Sequence, residues 1–563
     1  MWRYNIRTTM AILKRLDKRT NIVYVYESSS YWDKKKKQPR SKRVLIGKID
    51  PKTGEMIPTD GRCKHLSTEG KKQAQEKEAQ DKAKQQAARE KEDKKLITDA
   101  RRYFFGATYL LDAIAEKIGL TSDLKRCFPE TYRQLLSLAY YLILEDFAAL
   151  SRFSRWAVTH EHPYGSDIPS QRSIEILRSV TEGSKMEFFR CLAKRRKHEE
   201  YWAYDSTSIS SYSEQLNQVK YGHNKDHEPL PQLNLLLLYG EASNLPFYYR
   251  KLAGNIPDVK TVRTLIADVE PLGVKKVKLL MDRGFYSSEN IDSMLANHYK
   301  FLIGTSTTLA EVKRMIKEHG NTMRNLDNYD TQHDVFCISE KVDWLATKRS
   351  KRETADVQVT PKRMYIHLYF NHTCAAEDEK NFMKRMAALR DELENNERVS
   401  THEAAYAKYF KVSKVKGGAK IEINRDAMQD AQARFGYFAL MSNEVKDARE
   451  ALLLYRNRDV VKKAFSNIKE RLNGNRLLVS SEDALEGKLF VHFIGLFLLS
   501  YIKKQMQEHA MFSKYTMSSL LDELDVIERI HIPGKTPIVR EILNKQIQIY
   551  KNMAVKPPID ALS

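Results

Sequence analysis

The chain has 563 residues, 42% of them apolar, which is too long for one compact core and predicts two to four domains. Lysine and arginine exceed aspartate and glutamate by 95 − 73 = 22, and the isoelectric point is near 9.4, so a polyanionic partner is expected. The composition argues against a membrane protein: the most apolar run, "KLFVHFIGLFLLSYIKK", holds about 14 residues between lysines where a spanning helix needs roughly 20.

That run therefore reads as a buried core helix. The opening "MWRYNIRTTMAILKRLDKRTN" is broken by charges throughout, so no signal peptide is expected. Five cysteines, Cys63, Cys127, Cys191, Cys337 and Cys374, show no CxxC spacing and predict reduced thiols in a cytoplasm-like compartment.

In chain order, residues 1–62 read as short strands. "NIVYVYESSSYW" and "KRVLIGKID" flank the basic loop "DKKKKQPRSKR", a hairpin tip that suits a DNA backbone and equally suits plain solvent. Residues 67–97 hold almost no large apolar side chains, and their Ala, Glu, Lys and Gln content predicts an exposed helical linker. From 101 to 200 the apolar spacing is helical, as in "ATYLLDAIAEKIGL" and "ETYRQLLSLAYYLILEDF". Past residue 200, hairpin-joined strands followed by alternating helices and strands predict a mixed sheet with helices packed on it. Residues 306–432 interrupt this pattern with charged sequence, and "GYFALMSN" then resumes an apolar strand.

The next segment, "YRNRDVVKKAFSNIKER", reads as one helix. Its stripe Val461, Ala464, Phe465, Ile468 and Leu472 packs on a core, while Tyr455, Arg458, Lys462 and Lys469 line a second edge. Two acids stand at places suited to chemistry: Asp205 in "YWAYDSTS" and Asp282 in "VKLLMDRGF", each read as lying at a strand end on the rim of a sheet. Carboxylates on neighbouring strands suit Mg²⁺, and two ions about 4 Å apart would stabilise both oxygens of a phosphodiester displacement. On spacing alone, each Asp serves equally well as a cap of the following turn.

Six ordered motifs decide between these readings. "YWAYDSTSIS", "YGHNKDHEPLPQLNLLLLYG", "LPFYYRKLAGNIPDVKTV", "LLMDRGFYSSENI", "FLIGTS" and "GYFALMSN" together resemble the DDE transposases of bacterial insertion sequences. The branch is the one with a Tyr-x2-Arg-x3-Glu-x6-Lys helix. The likeness covers about residues 201–305 and 433–510.

It implies an α/β fold: a ribonuclease-H-like mixed sheet flanked by helices, interrupted by an α+β insertion and preceded by β and helical DNA-binding regions. The implied organisation is a β region (1–62), a charged helical linker (63–100), a helical DNA-binding domain (101–200), two core parts (201–305 and 433–510) around an insertion (306–432), and C-terminal helices (511–563). Asp205 and Asp282 would hold Mg²⁺, with Mn²⁺ as substitute. Tyr455, Arg458 and Lys469, together with Arg283 and Lys225, would contact DNA. The expected partners are double-stranded transposon ends and target DNA, gripped by a homodimer at the nucleoid of a bacterial cytoplasm, with no membrane involved.

One position departs from the motif. Three residues separate Arg458 from the position of the family's catalytic Glu, and this chain has Lys462 there. An ammonium cannot ligate Mg²⁺ and would compete for its place, so a protein that grips DNA without cutting it is expected, with Lys462 paired to Asp205 or Asp282. Two acids nearby are candidate substitutes, and either would need the helix to shift. Asp459 lies one turn earlier, and Glu470, two turns later, is expected to point away from the stripe. His223 and His227 in "GHNKDHE" are expected in a loop near substrate rather than in a zinc site. Asn255 and Asp258 read as caps of a helix that starts at Pro257, and Trp202 and Tyr204 as sheet packing.

Overall fold

The computed structural model describes residues 10–33, 35–59, 68–145, 149–195, 200–274, 276–345, 361–415, 418–472, 474–476, 478–479 and 481–559. Cys63 and the first residues of the expected linker lie outside them. The chain divides into two compact units, Met1–Arg101 with His531–Pro537, and Arg102–Ile530 with Ile538–Ser563.

The first unit holds an antiparallel meander of β1 (Met10–Asp17), β2 (Ile22–Asp33), β3 (Gln38–Ile49) and β4 (Met56–Pro58). Pairing runs out to Asp33↔Gln38, so the basic stretch expected as a loop is mostly strand. Backbone pairing sets the hairpin's length here, and the side chains of Arg40, Lys42 and Arg43 stay exposed along it. Helix α1 (Thr68–Asp99) follows, and its described side chains up to Thr98 are exposed, as its lack of apolar spacing requires.

In the second unit, which takes all of β5 (Arg101–Phe104) but its first residue, that strand leads into α2 (Gly106–Lys117), α3 (Leu120–Cys127), α4 (Tyr132–Leu144), α5 (Phe153–Ala157), α6 (Ser170–Arg178) and α7 (Glu182–Lys194). Then come β6 (Trp202–Ser210), β7 (Gln232–Gly240), β8 (Pro246–Ala253), α8 (Asp258–Val269), β9 (Lys278–Met281), α9 (Ser288–Ala296), β10 (Lys300–Thr305) and α10 (Ala310–His319). The remaining sheet strands are β11 (Tyr329–Asp330), β12 (Val335–Trp344), β13 (Lys362–Phe370) and, after the short hairpin strands β14 (Phe410–Val415) and β15 (Gly418–Ile423), β16 (Tyr437–Ser442).

One nine-stranded sheet runs β11-β12-β13-β16-β10-β9-β6-β7-β8. It is mixed: β6, β9 and β10 are mutually parallel and the other pairs antiparallel. β6 and β7 are buried along their whole length; β7 is correspondingly apolar from Leu235 to Leu238, whereas β6 buries the polar run Asp205–Ser208.

The segment expected as one insertion, 306–432, divides. "RMYIHLYF" is buried from Met364 onward, so β12 and β13 add to the edge of the main sheet. Only 372–432, with α11 (His372–Glu394), α12 (Glu403–Tyr409), α13 (Arg425–Gln432) and the β14–β15 hairpin, builds a second small core around Met386, Leu389, Leu393, Tyr406 and Phe410.

The segment expected as one helix also divides, into α14 (Ala448–Asn457), α15 (Asp459–Ser466) and a π-turn over Asn467–Arg471. Its apolar stripe is buried as expected, from Val461 to Leu472.

Helix α16 (Glu482–Glu508) is long and apolar enough to cross a membrane by length and composition, yet 89% of its apolar window is buried inside the protein. It crosses α6 so closely that a Cβ on Gly487 would stand 2.1 Å from the Leu177 carbonyl oxygen. Backbone cannot yield as a side chain tip can, so Gly487→Ala is expected to cost about 2 kcal/mol. Urea unfolding of the two proteins measures this directly.

Candidate functional site

Strand register brings the two acids together. The parallel pair β6–β9 aligns Ala203 with Leu280 and Tyr204 with Met281, so Asp205 and Asp282 are next in line where β9 stops. The placement of Asp205 differs from expectation: it is the fourth residue of a nine-residue strand and is buried, because β6 runs on beside β7 after β9 has ended. Trp202 and Tyr204 pack as expected, the first against Phe247 and the second against Phe285, with the Tyr204 hydroxyl donating to Thr261 Oγ1 (2.9 Å).

Asp282 caps the turn that follows it and does more. Its Oδ1 accepts from the Arg283 amide (2.7 Å) and from the Tyr455 hydroxyl (3.0 Å), while Arg458 Nη1 lies 3.0 Å from Oδ2. Arg458 is 5% exposed, and its Nη1 faces Asp282 as an ion pair without the alignment of a hydrogen bond. Gly304 of β10 makes room for this: a Cβ there would stand 2.9 Å from both the Tyr455 hydroxyl and the Arg283 nitrogen. Tyr455 and Arg458, expected to meet phosphates, are thus turned inward onto Asp282.

Asp205 has a different set of neighbours. Its Oδ1 accepts from the Ser206 amide (2.8 Å), and Lys225 Nζ lies 3.9 Å away. Lys225, on the loop between β6 and β7, also donates to the Ser206 carbonyl (2.8 Å) and pairs with Asp258 Oδ2 (2.9 Å). Asp258, read from sequence as a helix cap, does not cap: Pro257 holds the N-cap position and the Asp258 carboxylate reaches across to Ser206 Oγ and Lys225.

The two central acids are pushed in opposite directions. Burial raises the Asp205 carboxyl above its ordinary range, against the pull of Lys225 and the Ser206 amide. Burial also opposes the charge of Asp282, but Arg458, the Arg283 amide and Tyr455 outweigh it, and the net shift is downward.

Around these acids lies a cleft of about 1100 Å³, lined by Asp205, Asp282, Asp258, Lys225, His223 and His227 on one side and by Lys462, Lys469 and Glu470 on the other. Arg283, the remaining expected contact, lines the neighbouring cavity on the far side of Asp282. Lys462 is exposed and makes no ion pair among the described residues, so the expected pairing with Asp205 or Asp282 is absent; Lys225 and Arg458 hold those places.

Lys469 pairs with Asp226, and Arg476 with Glu228, joining the helix side of the cleft to the β6–β7 loop. Glu470, expected to point away, lines the cleft, because the π-turn carries more residues per turn than an α-helix and rotates the side chains after Ser466. Asp459 is exposed and is not among the described lining residues. No local spacing in the sequence announces Asp258 or Glu470 as cleft residues, since each depends on a contact between distant segments.

Paired aspartates beside a parallel strand end, faced by helix lysines, make a carboxylate-centred cleft in a mixed α/β fold. The sequence model of the Transposase DDE domain matches residues 198–498, more than half of the chain, and the protein belongs to that family. Among solved structures, a cryo-EM structure of the piggyBac transposase synaptic complex with hairpin DNA is similar at 10% identity, covering 75% of this chain and 78% of that one. Its TM-score of 0.36 is too low to carry an argument about this site. No curated protein matches the chain.

Members of this family generally use divalent metal ions. The residues here do not fit such a centre: both oxygens of Asp282 are engaged, Lys225 and Lys462 bring two ammonium groups to the cleft, and no three His, Cys, Asp or Glu among the described residues are placed to hold an ion.

Proposed function

We propose that this chain is an insertion-sequence transposase that binds the terminal inverted repeats of its element, and that Lys462 leaves it able to grip DNA but not to cut it. The observation that carries the reading is the cleft itself, where Lys462 stands in the same cavity as Asp205 and Asp282. The Tyr-x2-Arg-x3-x-x6-Lys spacing of Tyr455, Arg458, Lys462 and Lys469 supports assignment to the bacterial insertion-sequence branch with a ribonuclease-H-like core.

In this reading Lys469 and Lys225 take phosphates of the end DNA, releasing Asp226 and Asp258. Tyr455 and Arg458 act indirectly by holding Asp282 in place. In a form with Glu at position 462, Asp205 and Asp282 would share Mg²⁺ or Mn²⁺. A homodimer pairing two element ends at the bacterial nucleoid, with the N-terminal β hairpin on the DNA backbone, completes the proposal.

The test is a fluorescence anisotropy titration of an end-repeat duplex against a scrambled duplex. Preference for the repeat, with affinity falling steeply as salt rises, is the expected result. Equal affinity for both would sink the terminal-repeat assignment. In the same assay Lys469→Glu is expected to weaken binding about tenfold and flatten the salt slope by about one or two phosphates' worth.

A further inference from the structure

A second concave path leaves Asp282 on the side away from Lys462. Two cavities of about 570 Å³ each share Arg434, Phe435 and Tyr437. The first begins at Asp282, Arg283 and Tyr455 and runs between the main sheet and the 372–432 subdomain, with Phe382, Tyr409, Phe435 and Phe438 among its walls. The second continues along α10 past Lys313 and Lys317.

The chemistry changes along the path from aromatic to cationic. In the first cavity the rings of Phe382, Tyr409 and Phe435 form a cluster, Phe382 meeting the other two edge-on at 5.4 and 5.3 Å. In the second, Lys313, Lys317, Arg324 and Arg434 face one acid, Asp430, which Arg434 already pairs at 2.6 Å. Lys313 and Lys317 are exposed and make no ion pair among the described residues. Four cations against one acid, two of them lysines without an ion pair among the described residues, suit phosphates, and aromatic walls suit bases whose faces are bare. A duplex hides those faces in its own stack, so a ring-lined groove favours unpaired nucleotides.

Resting on the transposase reading above, we infer that this groove is a track for one single strand of DNA leading away from Asp282, with bases against Phe435 and Tyr409 and phosphates on Arg434, Lys317 and Lys313. It would hold the strand next to the element end once the ends have opened. The groove serves this role whether or not the neighbouring cleft cuts DNA, because none of its cations belongs to the Asp205–Lys462 cleft.

The test is anisotropy with the full chain and two labelled probes, an oligothymidylate of about 20 nucleotides and a blunt duplex. Lys313→Glu combined with Lys317→Glu should weaken oligothymidylate binding at least tenfold and flatten its salt slope by about 1.4, two phosphates at about 0.7 each, while duplex affinity changes less than about twofold. Phe435→Ala should weaken the oligothymidylate about fivefold or more with its salt slope unchanged.

Equal losses on both probes would assign the cations to duplex backbone and overturn the single-strand track, as would an unchanged oligothymidylate affinity. Circular dichroism of each variant checks that the fold is kept, and the exposed lysines carry the test if Phe435→Ala unfolds. Failure of the unmodified protein to bind the duplex would count against the transposase reading, whereas the oligothymidylate series reports on the groove alone.

Discussion

Lys462→Glu is expected to raise strand cleavage of end-repeat DNA in Mg²⁺ or Mn²⁺ by at least about 100-fold, since even outer partners of a metal site are worth 10- to 100-fold. The substitution removes an ammonium from a cavity that already holds Lys225 and adds a carboxylate beside Asp205 and Asp282. Position 462 is exposed on α15, so the fold should tolerate either side chain. Mn²⁺ titration calorimetry gives a readout independent of cutting: the Glu form should bind the ion and the Lys form should not.

Asp282→Asn in the Glu background should abolish both signals. Comparable cutting by the unmodified chain would mean that the third acid lies elsewhere. Glu470 is then the residue to replace, because it lines the cleft whereas Asp459 does not. If neither form cuts and both bind DNA, the chain is a binder that has lost more than one catalytic part.

Asp282→Asn in the unmodified chain should lower stability by about 2–3 kcal/mol at neutral pH, because it strands the buried Arg458 guanidinium. The figure is set below the about 3–5 kcal/mol of a fully buried broken pair, since the Asp282 side chain is 41% exposed and partly screened. The pH dependence follows from the downward shift of its carboxyl. The stabilisation is present above the unfolded carboxyl value near 3.8 and disappears as pH falls through the lower folded value, so the difference between the proteins should close in acid.

Asp205 should behave oppositely. Its carboxyl is raised, so its contribution is fully present below the unfolded value and is lost as pH rises through the folded one. Asp205→Asn should therefore leave stability unchanged or increase it at pH 7. Urea unfolding across the acid range decides the matter, and a shift of the same sign for both variants would overturn this account of the pair.

Much of the site was legible in the chain. The "YWAYD" and "LLMDRG" contexts point to Asp205 and Asp282, and the apolar stripe from Val461 to Leu472 is buried as its spacing predicts. Helical extrapolation then fails at two points. It carries Tyr455, Arg458 and Lys462 onto one edge expected to meet phosphates, but the helix breaks at Arg458, whose buried guanidinium closes on Asp282. It also turns Glu470 away, where a π-turn turns it in. Both departures come from contacts with segments far away in sequence, which no local period encodes.

By itself the sequence determined the residue chemistry of this protein: two aspartates at apolar strand runs, a cation at position 462 where the family motif has an acid, a basic excess of 22 charges and the apolar periods that bury each element. These are properties of short windows, set by side-chain type and by the repeat of helix or strand. Only the tertiary structure decided which charges meet. Parallel pairing of β6 with β9 sets Asp205 beside Asp282, the β6–β7 loop brings Lys225 between Asp205 and Asp258, and β12 and β13 join the main sheet rather than a separate insertion. The physical reason is that an ion pair or a strand register depends on distances between segments far apart in the chain, and those distances exist only once the common core has packed.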